Sequence, residues 1–292
     1  MDGLLTGKTM CPTSHGLLLV RDPASMATSL LDPASGKEIH LPPLAGVEDA
    51  TLMHSHCLVS GEPAAPGGCV VFLVAPGDDT FIWYCRPGDD DWVKHDYDIG
   101  TQILDIEEDL YEKSVICPIA QCRGKFYFNP GDTEMGVLEF VPAGPVFGSV
   151  AIDDTIAADG SYGYEEEDDG GNGCAVYLVE SDGELYMVTF LFADSTRKEI
   201  DRGSVHRMDF AERRWRKVSD LGGRVFLVSV FYFGASCSVQ GDGHELRQDC
   251  VYMPGKKALL VFYVKEGTIE VQKLDGAPTS DKVFWVLPPT CK

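Results

Sequence analysis

Short runs of apolar, aromatic and β-branched residues recur along almost the whole chain, and clusters of Gly, Pro, Asp and Glu separate nearly all of them. That punctuation predicts strands rather than helices. About twenty strands follow from this pattern, opening with 16–20, 29–32, 37–41 and 52–59 and closing with 258–264, 268–274 and 283–287. Two more expected between them are 114–120 and 224–233. No helical periodicity intervenes, which excludes a parallel α/β sheet. Only 101–112 (TQILDIEEDLYE), with Ile103, Leu104, Ile106 and Leu110, has a spacing compatible with a short helix, and it reads rather as a loop or irregular edge.

A degenerate repeat emerges when the expected hairpins are laid over one another. Each copy is an apolar strand, a turn of Pro, Gly, Asp or Glu, and a second strand opening with Trp or a charged residue. The copies are LLDPASGKEIHLPPL (30–44), WYCRPGDDDWVKHDY (83–97), HRMDFAERRWRKVSDL (206–221) and VFYVKEGTIEVQKLDG (261–276), with a weaker one at YFNPGDTEMGVLEFVP (127–142). A spacing of roughly 40–60 residues is that of propeller blades. The expected fold is therefore all-β, a propeller of five to seven four-stranded antiparallel blades, with blades at 14–44, 50–97, 114–152, 174–219 and 224–276. A sandwich would need fewer strands. The strand at 283–287 is expected to pair with the N-terminal blade and close the ring, removing exposed sheet edges. The whole chain, 1–292, reads as a single propeller domain interrupted by two loops: 61–68 (GEPAAPGG) and the acidic, Gly-rich 153–173, read as disordered.

Composition narrows the function classes. A chain of 292 residues with 44% apolar and 24% charged residues can bury a core and is expected to fold. A net charge of −22 repels a phosphate backbone and anionic membranes alike, so neither nucleic acid nor membrane is an expected partner. The one dense basic cluster, Arg213, Arg214, Arg216 and Lys217, is interrupted by Trp215. The charge favours solubility and a basic partner. No apolar run approaches the ~18 residues of a membrane span, and the N-terminus lacks a signal-peptide pattern, so cytoplasm or nucleus is the expected location. In such a reducing compartment the ten cysteines, scattered mostly through strand-like runs, read as small core residues rather than a disulfide frame.

Particular segments also resemble a known family. Ser14-His15-Gly16-Leu17-Leu18, then 31–37 (LDPASGK) and 41–44 (LPPL), are similar to the "SHGWL … LLNPLTG … LPP" opening of the plant KIB-type propeller, a domain of unknown function. Residues 176–188, then 205–210 (VHRMDF) with Trp215, resemble its centre, and Gly222, 226–228 and 236–239 resemble its "LGGRALFLG … SFSVSA" segment. Residues 250–252 and 285–289 (WVLPP) complete the likeness. The resemblance implies a protein-binding propeller, the substrate-binding half of F-box proteins, one branch of which binds signalling kinases. Here Asp32 replaces the usual Asn before Pro33, which a turn accepts equally well. The chain opens almost at the first hairpin, without the F-box, so coupling to a ubiquitin ligase is not expected.

Candidate chemistry is sparse, and no catalytic, cofactor-binding or metal-binding residue is assigned. In His54-Ser55-His56-Cys57, strand alternation would put both imidazoles on one face, yet two ligands do not make a zinc site. Cys117 and Cys122 supply no matching second pair. His206, Cys237 and His244 could meet in space, but no Gly-x-Ser-x-Gly or local Cys–His pattern is present. The Gly-rich 170–173 and 241–243 lack the strand and helix of a phosphate loop. Asp89, Asp90 and Asp91 read as a hairpin turn, not a calcium loop. Trp92 and Trp215 share a repeat position and are expected to pack between blades, while Trp83 and Trp285 sit in strands and read as core or inter-blade packing; Glu165–Asp169 reads as solvated. The expected function is non-catalytic binding of a protein partner; the alternatives are a hydrolase or lyase with a channel site, or a truncated relative without activity.

Overall fold

The computed structural model describes residues 5–61, 69–75, 77, 79–103, 110–115, 119–131, 133–153, 174–193, 199–229, 232–238, 246–255, 257–276 and 285. Blade 1 holds β1 (Thr9–Pro12), β2 (Leu18–Arg21), β3 (Thr28–Leu31) and β4 (Glu38–Leu41) in that order, and a helix, α1 (Asp49–His54), follows it. Blade 2 holds β5 (His56–Val59), β6 (Val71–Val74), β7 (Phe81–Cys85) and β8 (Val93–Asp96). A two-stranded ribbon, β9 (Thr101–Ile103) and β10 (Leu110–Glu112), precedes blade 3. That blade comprises β11 (Ile119–Cys122), β12 (Lys125–Phe128), β13 (Glu134–Val141) and β14 (Gly144–Ala151). Blade 4 comprises β15 (Cys174–Ser181), β16 (Glu184–Phe192), β17 (Ile200–Asp209) and β18 (Arg214–Lys217). Blade 5 contains β19 (Arg224–Ser229), β20 (Tyr232–Ser238), β21 (Cys250–Gly255), β22 (Ala258–Tyr263) and β23 (Thr268–Lys273), in the order β20-β19-β21-β22-β23.

The fold is thus an all-β propeller with five blades, at nearly the boundaries that the repeat spacing predicts. Blade 5 departs from the expected four antiparallel strands. The run 224–233 splits into β19 and the start of β20, and β19 pairs antiparallel with β20 but parallel with β21. Within the expected loop or irregular edge at 101–112, residues 101–103 and 110–112 pair as a ribbon. Residues 52–54 belong to α1, which ends where Ser55 turns extended and its hydroxyl donates to the Thr51 carbonyl at 2.8 Å. The expected loop 153–173, beyond Asp153, and the closing strand 283–287, apart from Trp285, lie outside the described residues. No described helix is long and apolar enough to cross a membrane.

Turn chemistry explains why the repeat is visible in the sequence. The same tetrapeptide, Asp-Pro-Ala-Ser, makes both the β2–β3 and β3–β4 turns. Asp22 Oδ1 accepts from the amides of Ala24 and Ser25, and Asp32 Oδ1 from those of Ala34 and Ser35. The fifth residue is left-handed in each, Met26 at φ 59° and Gly36 at φ 72°. Asp209 repeats the device between β17 and β18, accepting from Ala211 and Glu212, with Arg213 at φ 53°. The strong copies are therefore the hairpins of the two outermost strands of their blades. The weak copy at 127–142 falls one hairpin early, on β12–β13.

Both faces of each interior blade are buried, with a period of two. On β5, Cys57 and Val59 pack toward blade 1, while Leu58 joins Phe72, Ile82, Phe126 and Leu138 between blades 2 and 3. On β15, Leu178 packs toward Met135 of blade 3, and Val179 toward Phe226 and Val251 of blade 5. Trp92 and Trp215 lie in the blade 1–2 and blade 3–4 clusters, matching their expected role. Trp92 also donates its indole N–H to the Pro42 carbonyl at 2.9 Å, tying blade 2 to the end of blade 1. Phe72 and Phe126 meet edge to face at 4.7 Å across the blade 2–3 seam.

Candidate functional site

Chemistry on a propeller would sit either in the central channel or on an end face. The innermost strands are β1, β5, β11, β15 and β20, which approach one another around the axis. β20 lies directly on β15: a Cβ added at Gly234 would come 2.4 Å from the Leu178 carbonyl oxygen. Only a glycine permits that approach. At one mouth of the channel, Gln121 donates to the Ser60 carbonyl at 2.6 Å while its side-chain oxygen meets His15 Nε2 at 3.1 Å, joining blades 3, 2 and 1. At the start of β5, His56 stands edge-on to Phe233 of β20, with ring centroids 6.0 Å apart.

These walls are electrically quiet. Burial holds the His56 imidazole down at about 4, so it is neutral near pH 7. Its Nδ1 is buried with no hydrogen-bond partner among the described residues. The innermost strands carry one carboxylate, Glu180, which accepts from the Gly183 amide at the end of β15. Away from the channel, in the cores between and within blades, burial pushes the thiols of Cys69, Cys122 and Cys250 up to about 11, and those of Cys57 and Cys85 higher, so none of these five offers a thiolate at neutral pH.

The sequence candidates do not converge. His54 ends α1 on the surface while His56 faces the channel, so the expected shared face is lost to the helix. His206 shares a face of β17 with Met208, toward blade 3, whereas Cys237 packs with Val225 and Cys250 on the far face of blade 5. Strand parity therefore keeps these two apart, and His244 and Cys117 lie outside the described residues. Among the described residues no three His, Cys, Asp or Glu side chains gather as a metal site. Asp89 closes a turn by accepting from the Arg86 amide at 2.7 Å. In the basic cluster, Arg214 and Arg216 are matched by Glu212 and Asp209.

A cleft of about 180 Å³ opens instead on the end face that carries α1, between blades 1 and 2. Gly46, Val47 and Glu48 of the blade connection, Thr51 and Ser55 of α1 and its end, and Asp79, Phe81 and Trp83 of blade 2 line it. The fully buried Arg21 holds one wall in place. Its guanidinium donates to the Leu44 and Val47 carbonyls at 2.8 and 2.5 Å and to Asp49 Oδ1 at 2.6 Å, pinning the connection and the first turn of α1. Thr9 donates to the same carboxylate oxygen, and these hydrogen bonds hold Asp49 below the usual carboxylate range. The Trp83 indole closes the other wall against Gly46, where a Cβ would come 2.6 Å from Cη2. No motif in the sequence marks Arg21, Gly46, Asp49 or Gly234. A single arginine ending the apolar run Leu17–Arg21 is the one local signal of a buried cation.

No curated protein matches the chain. Among solved structures it is similar to the β-propeller domain of Cps50 (Swd1) from Myceliophthora thermophila, at 9% identity over 90% of this chain and 82% of that one, with a TM-score of 0.31. It is also similar to a PQQ-bound aldose sugar dehydrogenase from Streptomyces coelicolor, at 10% identity over 95% and 80%, with a TM-score of 0.25. Superpositions this loose bear on neither fold nor chemistry. The model of the KIB1-4 beta-propeller family matches residues 2–272, nearly the whole span of the five blades. The chain belongs to the KIB1-4 β-propeller family.

Proposed function

We propose that this propeller is a protein-interaction module that works without catalysis and grips a protein partner on an end face. The observation that carries the reading is the centre of the ring. β20 is pressed onto β15 at Gly234, and the strands around it offer a neutral imidazole and a single carboxylate, Glu180, bonded to the Gly183 amide, rather than an acid–base pair. Groups poised for proton transfer or nucleophilic attack are what an enzymatic channel would require. The net charge of −22 favours a partner with a basic surface.

Affinity capture of the tagged chain from its native extract, with mass spectrometry of what co-purifies, tests the proposal. A defined protein, such as a kinase, enriched in stoichiometric amounts supports it. Cullin adaptors in the capture would show that ligase coupling occurs. A reproducibly empty capture would overturn the proposal.

A further inference from the structure

The cleft beside α1 has the size and lining of a receptor for one side chain. Its volume, about 180 Å³, is below the roughly 300–1,000 Å³ of pockets that hold drug-sized ligands. Its aromatic wall is Trp83 with Phe81, and its rim carries Glu48 and Asp79, both exposed. Neither carboxylate has an ion-pair or hydrogen-bond partner among the described residues, whereas the carboxylates around Arg214 and Arg216 are matched. The Trp83 indole N–H also has no acceptor among the described residues. Trp92 and Trp285, by contrast, donate theirs to backbone carbonyls. Two cations lie nearby and neither lines the cleft: Arg21 is committed to Asp49 and two backbone carbonyls, and Lys94 lies 3.8 Å from the Phe81 ring centroid.

We infer that the cleft receives an arginine side chain of a protein partner, whose guanidinium stacks on Trp83 between Glu48 and Asp79. Arginine suits the site because its planar, weakly hydrated cation stacks on indole and can donate to two carboxylates at once. The walls are preformed, since Arg21 fixes the blade connection and α1 before any partner arrives. This inference rests on the protein-binding reading, and its test needs no partner protein, so the two can fail separately.

The probe is N-acetyl-arginine N-methylamide, titrated into the full chain while the four tryptophan indole N–H signals are followed by NMR. The expected result is a saturable shift confined to Trp83, with a dissociation constant on the order of millimolar, the range for a ligand of about 16 heavy atoms at ordinary efficiency. The neutral isostere N-acetyl-citrulline N-methylamide is expected to give no saturable shift. The double variant Glu48→Lys, Asp79→Lys is expected to weaken arginine binding at least tenfold while leaving the other three indole signals in place, which shows that it folds. No Trp83 shift, equal binding of the citrulline probe, or undiminished binding by the folded double variant would overturn the assignment. If capture yields a partner but the probe leaves Trp83 unmoved, the arginine cleft fails while the protein-binding reading stands.

Discussion

His56 gives the packing around the channel a measurable pH signature. In the unfolded chain its imidazole titrates near its ordinary 6.5, whereas in the propeller burial lowers it to about 4. Between those two values the unfolded state binds the extra proton, so stability must fall as pH falls through that window. A tenfold difference in proton affinity between the folded and unfolded chain is worth about 1.4 kcal/mol, which makes the loss about 2 kcal/mol at pH 5 and about 3 kcal/mol once pH 4 is reached. From about pH 7.5 upward the residue contributes almost no pH dependence. The perturbation is His56→Phe, which keeps a ring edge-on to Phe233 and removes the titrating group. Urea unfolding followed by tryptophan fluorescence at pH 7.5 and pH 5.0 gives the pH-dependent change for each protein. Subtracting the variant's change from the parent's cancels the carboxylates and the other histidines. The parent is expected to lose about 2 kcal/mol more than the variant. Equal losses, within about 0.5 kcal/mol, would refute the reasoning, since His56 would then titrate as freely in the folded state as in the unfolded one.

Three further outcomes are expected. Arg21→Met leaves the Leu44 and Val47 carbonyls without their donor and frees the blade connection, so urea unfolding should show a loss of about 3–5 kcal/mol. Gly234→Ala forces a Cβ against the Leu178 carbonyl and should cost about 1–3 kcal/mol, whereas Gly148→Ala, where a Cβ meets nothing within 4 Å, should stay within about 0.5 kcal/mol of the parent. Met26→Gly copies Gly36 into the other Asp-Pro-Ala-Ser turn and relieves a left-handed methionine, so it should leave the melting temperature unchanged or raise it; a clear drop would contradict the turn assignment.

How much is legible in the sequence follows from how local each signal is. The Asp-Pro-Ala-Ser turns and the Asp209 turn are closed by hydrogen bonds that span two or three residues, so their residues alone mark the hairpins. Trp92 and Trp215 can be placed between blades because one repeat position serves one packing role. α1 has only six residues and one buried apolar side chain, Leu52, too little for a periodicity to show, so its end reads as part of the following strand. β1 (TMCP) carries one strand-favouring residue, Thr9, and ends in a proline, so it is fixed by pairing with β2. The extra strand of blade 5 depends on Gly234 meeting Leu178, residues far apart in the chain. The cleft is hidden for the same reason: Arg21 joins Leu44, Val47 and Asp49 only after the blades have formed, and in isolation it looks like any solvated charge at a strand end.

The account turns on an end face, not the channel, being the working surface. Its most direct test is quantitative affinity capture with three baits at equal loading: the parent chain, the folded Glu48→Lys, Asp79→Lys double variant, and a surface control, Lys217→Ser on blade 4, that alters charge away from the cleft. The account predicts one defined protein captured by the parent and the control and reduced at least tenfold on the double variant. An empty capture from all three baits would contradict it.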